Sequence, residues 1–339
     1  MIRTNFLAIS LIMIILSTFL SCKNKKNEVS NKNKQSDPIA LVSEEIKKDE
    51  NNPDLYNKRA KLYLLSNQTN TALNDINKAI LLDKDKPDFY LTLSDIYFAT
   101  IQIEKSKEAI NKALSLNSNN PDAYLKLAEL NLYLKQYDET QKNADKAIEI
   151  EKNTSQAYFI KGYAYKENGD STKAVTQFLK TIEVNPDHFE AYMQLGLMFS
   201  NRNNKIAIDY LNSALNLNPK SIEANYALGM FLQENGKQDE AIKAYKNIIS
   251  INPSYREAYY NIGYIYLEYK KDFKEALNYF GDAIKTDNEY AEAFYNRGYT
   301  YELLKDYKNA RNDYKKAIDL KHNYQKAIEA LNRLDKLNN

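Results

Sequence analysis

Cysteine, histidine, glycine and charge of one sign are all in short supply in this chain, and each shortage removes a class of function. A single cysteine, Cys22, excludes an intrachain disulfide. The two histidines, His188 and His322, lie far apart in sequence, so no metal cluster or paired acid and base forms around either, and both read as solvated loop residues. The eight glycines build neither a phosphate-cradling loop nor a nucleophile elbow. Asp83, Asp85 and Asp88 lack the turn glycine and closing glutamate of a calcium loop, which leaves an ordinary acidic loop. Forty-seven basic residues against 45 acidic ones give no field of one sign to hold a phosphate backbone. The expectation is a non-enzymatic protein without cofactor, metal or nucleic-acid partner.

What the chain has in abundance is a recurring spacing. Between Glu292 and Leu320, Phe294, Gly298 and Tyr301 stand at i, i+4 and i+7, and Tyr314 lies between Ala310 and Ala317. This reads as two amphipathic helices joined by a turn at Lys305-Asp306. Helices joined so tightly need a small residue where their backbones meet, and Gly298 opposite Ala310 is expected there. At intervals of about 34 residues, Gly298 is preceded by Gly263, Gly229, Gly196, Gly162, Ala128, Ser94 and Ala60. Ala310 is preceded likewise by Ala276, Ala241, Ala207, Ala174, Thr140, Ser106 and Ala72. Ala317 follows Ala283, Ile248, Ala214, Thr181, Ala147, Ala113 and Ala79. One such hairpin cannot bury its own apolar face, so neighbouring copies must stack.

This order of bulky, small and aromatic residues resembles the tetratricopeptide repeat (TPR). The resemblance implies an all-α fold, a right-handed superhelical solenoid of eight helix-turn-helix repeats over residues 53–324, with a capping helix over 325–339. Arg297, Lys161 and Arg59 stand where that family usually has Leu, and Asn131 fills an aromatic column. The seven prolines fall at expected helix or repeat boundaries, as Pro53, Pro87 and Pro121 do at helix starts. Gly169 and Gly236 fall in turns, and Gly281 has no evident role. The fifth repeat is one residue short around Asn201 to Lys205, and the seventh is one long around Lys270 to Asp272, both in expected turns.

Residues 1–21 differ from everything that follows: Arg3, an apolar run from Phe6 to Leu20, then Ser21 before Cys22. As a helix the run spans roughly 22 Å, short of a bilayer core about 30 Å thick, and reads as an export signal. Ser21-Cys22 resembles the lipobox of bacterial lipoproteins, which implies that Cys22 is lipidated, with palmitate among its acyl chains, and anchors the mature protein. Residues 22–37 are nearly devoid of apolar side chains and form a tether with a reach of about 20 to 25 Å. A lone helix follows over 38–52, opened by Asp37-Pro38, with Leu41, Val42 and Ile46 expected to cover the first repeat.

Function must then lie on a surface. The TPR resemblance places the fifth and ninth repeat positions on the inner groove: Phe159 with Tyr163, Met193 with Leu197, Tyr226 with Met230, Tyr260 with Tyr264, and Tyr295 with Tyr299. The first three repeats are more polar there, with Asn57 and Lys61, Leu91 and Asp95, Leu125 and Glu129. Tyrosine at the fifth position also suits packing between adjacent helices, so Tyr163, Tyr264 and Tyr299 are the better candidates for ligand contact. The second position carries Asp54, Asp88, Asp122, Glu190, Glu223, Glu257 and Glu292, read either as helix N-terminal carboxylates or as a rail for basic partners. Two functions remain: a lipid-anchored adaptor of a gram-negative envelope, exported to the outer membrane or a periplasm-facing membrane, that holds a peptide or protein segment, and a glycan-binding envelope lipoprotein.

Overall fold

A computed structural model describes residues 37–336, all α-helical with no strand among the described residues. The apolar run, Ser21 and Cys22 lie outside them. The chain divides after Pro186 into two compact units.

The first unit opens with α1 (Pro38–Lys48), followed by four helix pairs. These are α2 (Pro53–Leu65) with α3 (Thr69–Leu82), α4 (Pro87–Ala99) with α5 (Ile103–Leu116), α6 (Pro121–Tyr133) with α7 (Tyr137–Ile150), and α8 (Ser155–Glu167) with α9 (Ser171–Val184). Proline fixes the first helical residue of α1, α2, α4 and α6. Asp37, Asn52 and Asn120 cap three of these by accepting from the backbone N–H of Ile39, Asp54 and Ala123 at 3.0, 3.1 and 3.1 Å. Successive first helices touch, α2 with α4, α4 with α6 and α6 with α8, and so form one face. α1 packs on α2 through Val42 and Ile46, whereas Leu41 is half exposed and does not take part as the periodicity suggests.

The second unit holds α10 (Phe189–Asn201) with α11 (Ala207–Leu217), α12 (Ile222–Glu234) with α13 (Gln238–Ile251), α14 (Arg256–Ile265) with α15 (Phe273–Thr286), and α16 (Ala291–Leu303) with α17 (Tyr307–Leu320). α18 (Gln325–Lys336) closes it, burying Ala327, Ala330 and Leu334 against α17. Two arginines pin that closure. Arg333 grips Glu302 with two bonds of 2.8 Å, and Arg311 reaches Asp335 at 2.9 Å.

The three columns of small residues are the contact seams: their non-glycine members are at most 2 % exposed. The partner of the glycine column is not the one expected. A Cβ on Gly298 would meet the Tyr314 ring at 3.0 Å, not Ala310, and on Gly162, Gly196, Gly229 and Gly263 it would strike Phe178, Leu211, Tyr245 and Phe280 at 2.6 to 2.9 Å. The absent side chain makes room for a large one on the second helix.

Every turn within a pair contains one residue of positive φ, namely Asn67, Ile101, Lys135, Gly169, Asn203, Gly236, Lys271 and Lys305. Seven stand at the fifteenth residue of their repeat. Lys271 is displaced by one, because the extra residue of the seventh repeat lies inside its first helix, as a π-turn over Tyr266–Lys270, and not in the turn. The missing residue of the fifth repeat does fall in the connection, between Asn201 and Ala207, and leaves α11 with 11 residues where the other second helices run 14.

Candidate functional site

The charged departures from the repeat pattern each find a partner. Arg59 grips Asp75 with bonds of 2.6 and 2.8 Å, and Arg297 grips Asp313 with two of 2.8 Å, both sixteen residues along the chain. Lys161 reaches back to Asp145 at 2.6 Å. The two arginine pairs take the place of an apolar contact between the helices of one repeat, whereas Lys161 bridges α8 to α7 of the preceding repeat; none of the three offers a free cation.

The acidic second position is also largely consumed. Asp54 accepts from Lys86 at 2.6 Å, Glu292 from Lys321 at 3.0 Å and Glu257 from Arg256 at 3.0 Å, while Glu190 lies 3.3 Å from His188. His188 is not a solvated loop residue; it is 7 % exposed and its Nδ1 caps α10 by accepting from the Ala191 N–H. Asp54, Glu190, Glu257 and Glu292 thus have neighbours of their own, which favours the helix-terminus reading over a rail.

The expected aromatic row separates into three groups. Phe159, Tyr163 and Met193 are 3, 5 and 3 % exposed. Phe159 and Tyr163 pack edge-on at 5.0 Å and both lean on Phe178, the ring that fills the space over Gly162. Met193 lies in the core beside Leu211 and Leu228. These three are core residues and leave the candidate surface.

The fifth-position tyrosines pack between adjacent helices, one of the two readings given them, in a ladder whose outer rungs sequence reasoning missed. Tyr226 sits between Tyr245 and Tyr255 at 6.1 and 6.0 Å, Tyr260 between Phe280 and Tyr290 at 5.7 and 5.2 Å, and Tyr295 between Tyr314 and Tyr324 at 5.7 and 5.2 Å. The third member of each trio immediately precedes the next first helix or the closing helix. Its recurrence at Tyr255, Tyr290 and Tyr324 was the available signal. Burial pushes the hydroxyls of Tyr255 and Tyr260 up to about 12, so the rungs stay neutral. Tyr260 also accepts from Asn296 Nδ2 at 2.7 Å, tying α14 to α16.

The ninth-position side chains of the second unit remain. Leu197, Met230, Tyr264 and Tyr299 are half-buried, each with a face toward solvent. Asn261 Nδ2 lies 3.9 Å from the Met230 sulfur, so α12 and α14 are side by side here. Tyr264 and Tyr299 both pack on the cluster of Leu267 and Phe280. This is a strip of ring, thioether and amide, able to make apolar contact and accept or donate hydrogen bonds.

The first unit differs. On its corresponding face Lys126 holds Asp95 at 2.6 Å, and Glu129, 8 % exposed, accepts from Gln156 at 3.3 Å. Burial is the largest influence on Glu129 and pushes its carboxyl up to about 7, with Lys126 opposing and Asp95 and Asp122 adding to the rise. Among the described residues no group of three His, Cys, Asp or Glu side chains is arranged to hold a metal ion. No described helix is long and apolar enough to cross a membrane.

Profiles described as tetratricopeptide repeats match residues 87–120, 155–188, 210–243, 257–290 and 291–324, and one described as TPR repeat matches 232–268. Together they span more than half of the chain. Human "Tetratricopeptide repeat protein 6" is 29% identical over 126 residues, 35% of this chain and 23% of that protein. "Photosystem I assembly protein Ycf3" of Acaryochloris marina is 31% identical over 83 residues, 23% of this chain and 50% of that protein. The chain therefore spans half or less of these curated relatives. Among solved structures, the C-terminal part of a TPR repeat-containing protein from Cytophaga hutchinsonii covers 70% of this chain and 98% of its own, with TM-score 0.62 at 20% identity. PilF of Pseudomonas aeruginosa covers 61% of this chain and 94% of its own, with TM-score 0.53 at 16% identity. At such identities the likeness is one of fold.

Proposed function

Because this chain belongs to the tetratricopeptide repeat family, whose repeats serve as protein-interaction scaffolds, we propose that it is a non-enzymatic adaptor holding a peptide or protein segment along the first helices of its second unit. The observation that carries this is the strip of Met230, Tyr264 and Tyr299, half-exposed at successive ninth positions, with the fifth-position tyrosines committed to packing beneath it. An extended or helical segment laid there would bury apolar side chains against the rings, and methionine lets the surface adapt. The test begins with crosslinking from the native membrane fraction to identify the partner, followed by its titration against wild type and the Tyr264→Ala, Tyr299→Ala double variant at low and high salt. The double variant should lose on the order of 2 kcal/mol of binding with little salt dependence and unchanged helicity. An unchanged affinity would refute the strip, and a collapse of helicity would make both tyrosines structural.

The chain's place in the cell envelope belongs to the same proposal. Ser21-Cys22 after the apolar run supports lipidation of Cys22, with residues 23–37 as the tether. Mass spectrometry of the mature protein should find an acylated N-terminal Cys22, lost in Cys22→Ser; a mature chain that begins elsewhere would rule the anchor out.

A further inference from the structure

The π-turn in the seventh repeat changes which side chains share a face. In an α-helix the neighbour of Tyr264 one turn on is Glu268; five-residue spacing instead brings Tyr269 beside it. The two rings are inclined at 70° with centroids 6.3 Å apart. Tyr269 is 50 % exposed, a large hydrophobic side chain left in water beside the strip already described. The hydroxyl of Tyr264 is held above its ordinary range by burial first, then by the Glu268 carboxylate and by Tyr269, which places all three groups together. Two basic residues are nearby. Lys270 is drawn off to Asp239 on α13 at 2.6 Å, and Lys271 lies 3.5 Å from Glu268 in an exposed pairing.

From this geometry we propose that Tyr264, Tyr269 and Glu268 form a notch for one arginine side chain of the bound segment. Two rings at 70° make a corner, not the flat platform on which a sugar ring lies. One ring turns its edge to the other, the faces left open carry negative quadrupoles, and the partly exposed Glu268 carboxylate is near enough to act on the Tyr264 hydroxyl, so the complement is a flat cation. A guanidinium stacks on a ring and presents a donor fork to a carboxylate, which an ammonium does not. Lys271 is a displaceable occupant of the same carboxylate, because an exposed pair of this kind holds weakly. The extra residue of the repeat thus gives one repeat in eight a specificity its neighbours lack: the ninth-position tyrosine of the next repeat, Tyr299, is followed after four residues by Leu303 and after five by Leu304.

This deepens the adaptor reading and rests on it, so its test uses small probes in place of the partner. The full chain, labelled with 13C in the tyrosine rings, is titrated with N-acetyl-arginine methylamide, its neutral isostere N-acetyl-citrulline methylamide, and N-acetylglucosamine. The arginine probe should shift Tyr264 and Tyr269 and bind at least about threefold more tightly than the citrulline probe, the scale of an exposed cation–π contact. Tyr269→Ala and Glu268→Gln should each abolish that preference while leaving helicity intact, and Lys271→Ala should tighten arginine binding. Equal response to arginine and citrulline, a larger response to N-acetylglucosamine, or a preference surviving in Tyr269→Ala would each overturn the notch. If the partner titration still fails in the Tyr264, Tyr299 double variant while these probes show no preference, the notch alone falls. An arginine preference with no partner loss would instead sink the strip.

Discussion

Six helix-interior glycines share one residue type and one backbone conformation, yet the structure predicts opposite signs for replacing them with alanine. Taken alone, the change favours a helix by about 0.8 to 1 kcal/mol, through the backbone entropy that glycine loses. What opposes it is the space available. At Gly162 the new methyl would sit 2.6 Å from the Phe178 ring, which is fully buried and held between Phe159 and Tyr163, so it cannot swing aside. Overpacking of that kind costs about 1 to 3 kcal/mol, which leaves Gly162→Ala destabilised by about 0 to 2, toward the upper end because the ring is fixed. Gly196 and Gly229, at 2.7 Å from Leu211 and Tyr245, belong with it. Gly298 is milder, with Tyr314 at 3.0 Å, and should fall near zero. Gly281 in α15 has nothing nearer than a guanidinium nitrogen of Arg297 at 3.9 Å, so its alanine variant should gain roughly 0.5 to 1 kcal/mol. The assay is urea unfolding followed by circular dichroism. Stacked repeats need not unfold in one step, so hydrogen exchange of each repeat's amides should accompany it. Stabilisation by Gly162→Ala would refute the assignment of the fourth-repeat seam, and destabilisation by Gly281→Ala would refute the open space read around that residue.

Two buried charges are probed by further variants. Glu129 binds its proton more tightly folded than unfolded, its carboxyl standing at about 7 against an ordinary 4.5, so its contribution is fully present below about pH 4.5 and is lost as pH rises through about 7, on the order of 3 kcal/mol in all. Glu129→Gln should flatten that slope and be the more stable protein near pH 8; equal slopes for the two proteins in urea midpoint against pH would contradict it. Asp313→Ala leaves Arg297 half-buried without its acceptor and should cost about 1 to 3 kcal/mol, whereas Arg297→Leu with Asp313→Ala should recover most of this, measured by thermal melting. A double variant as unstable as the single one would show that the pair serves something other than its own neutralisation.

The repeat register is legible in the sequence because a solenoid demands the same small residue at every crossing, and eight crossings expose the demand. Ala60, Ala128, Ala72 and Ala317 were found this way and are fully buried. Which ridge of the second helix fills the gap was not legible. Periodicity places Gly298 on a face of its helix, but only the packed pair reveals that Tyr314, and not Ala310, lies over it. Turn conformation was hidden for a related reason. Glycine announces a positive φ at Gly169 and Gly236, but Ile101 and Lys135 adopt one too, because the packed helices on either side leave the turn no other path. Aromatics at inner positions are ambiguous in the same way. Phe159 and Tyr163 occupy the same two repeat positions as Tyr260 and Tyr264, yet the first two are closed over by Phe178 and by each other, whereas Tyr264 keeps a face in water.

A stack built on one repeated contact has little freedom to make one repeat differ from the next, since any change at a seam is felt as a cavity or a clash. Individuality must enter where the pattern is broken without disturbing a seam. Arg59 and Arg297 do this by bringing their own counterions, Asp75 and Asp313, into the space an apolar pair would fill. Glu129 does it by burying a carboxyl that is half protonated near neutral pH. The inserted residue of the seventh repeat does it most economically. The π-turn absorbs the extra length before Lys271, so Gly263 still meets Phe280 and Ala276 remains fully buried. Only the side chains beyond Ile265 are rotated, and the one delivered to the surface beside Tyr264 is another tyrosine. On the proposal above, a ligand that distinguishes this repeat from its neighbours reads Tyr269 together with Glu268, because the insertion leaves the seam of Gly263 against Phe280 in place.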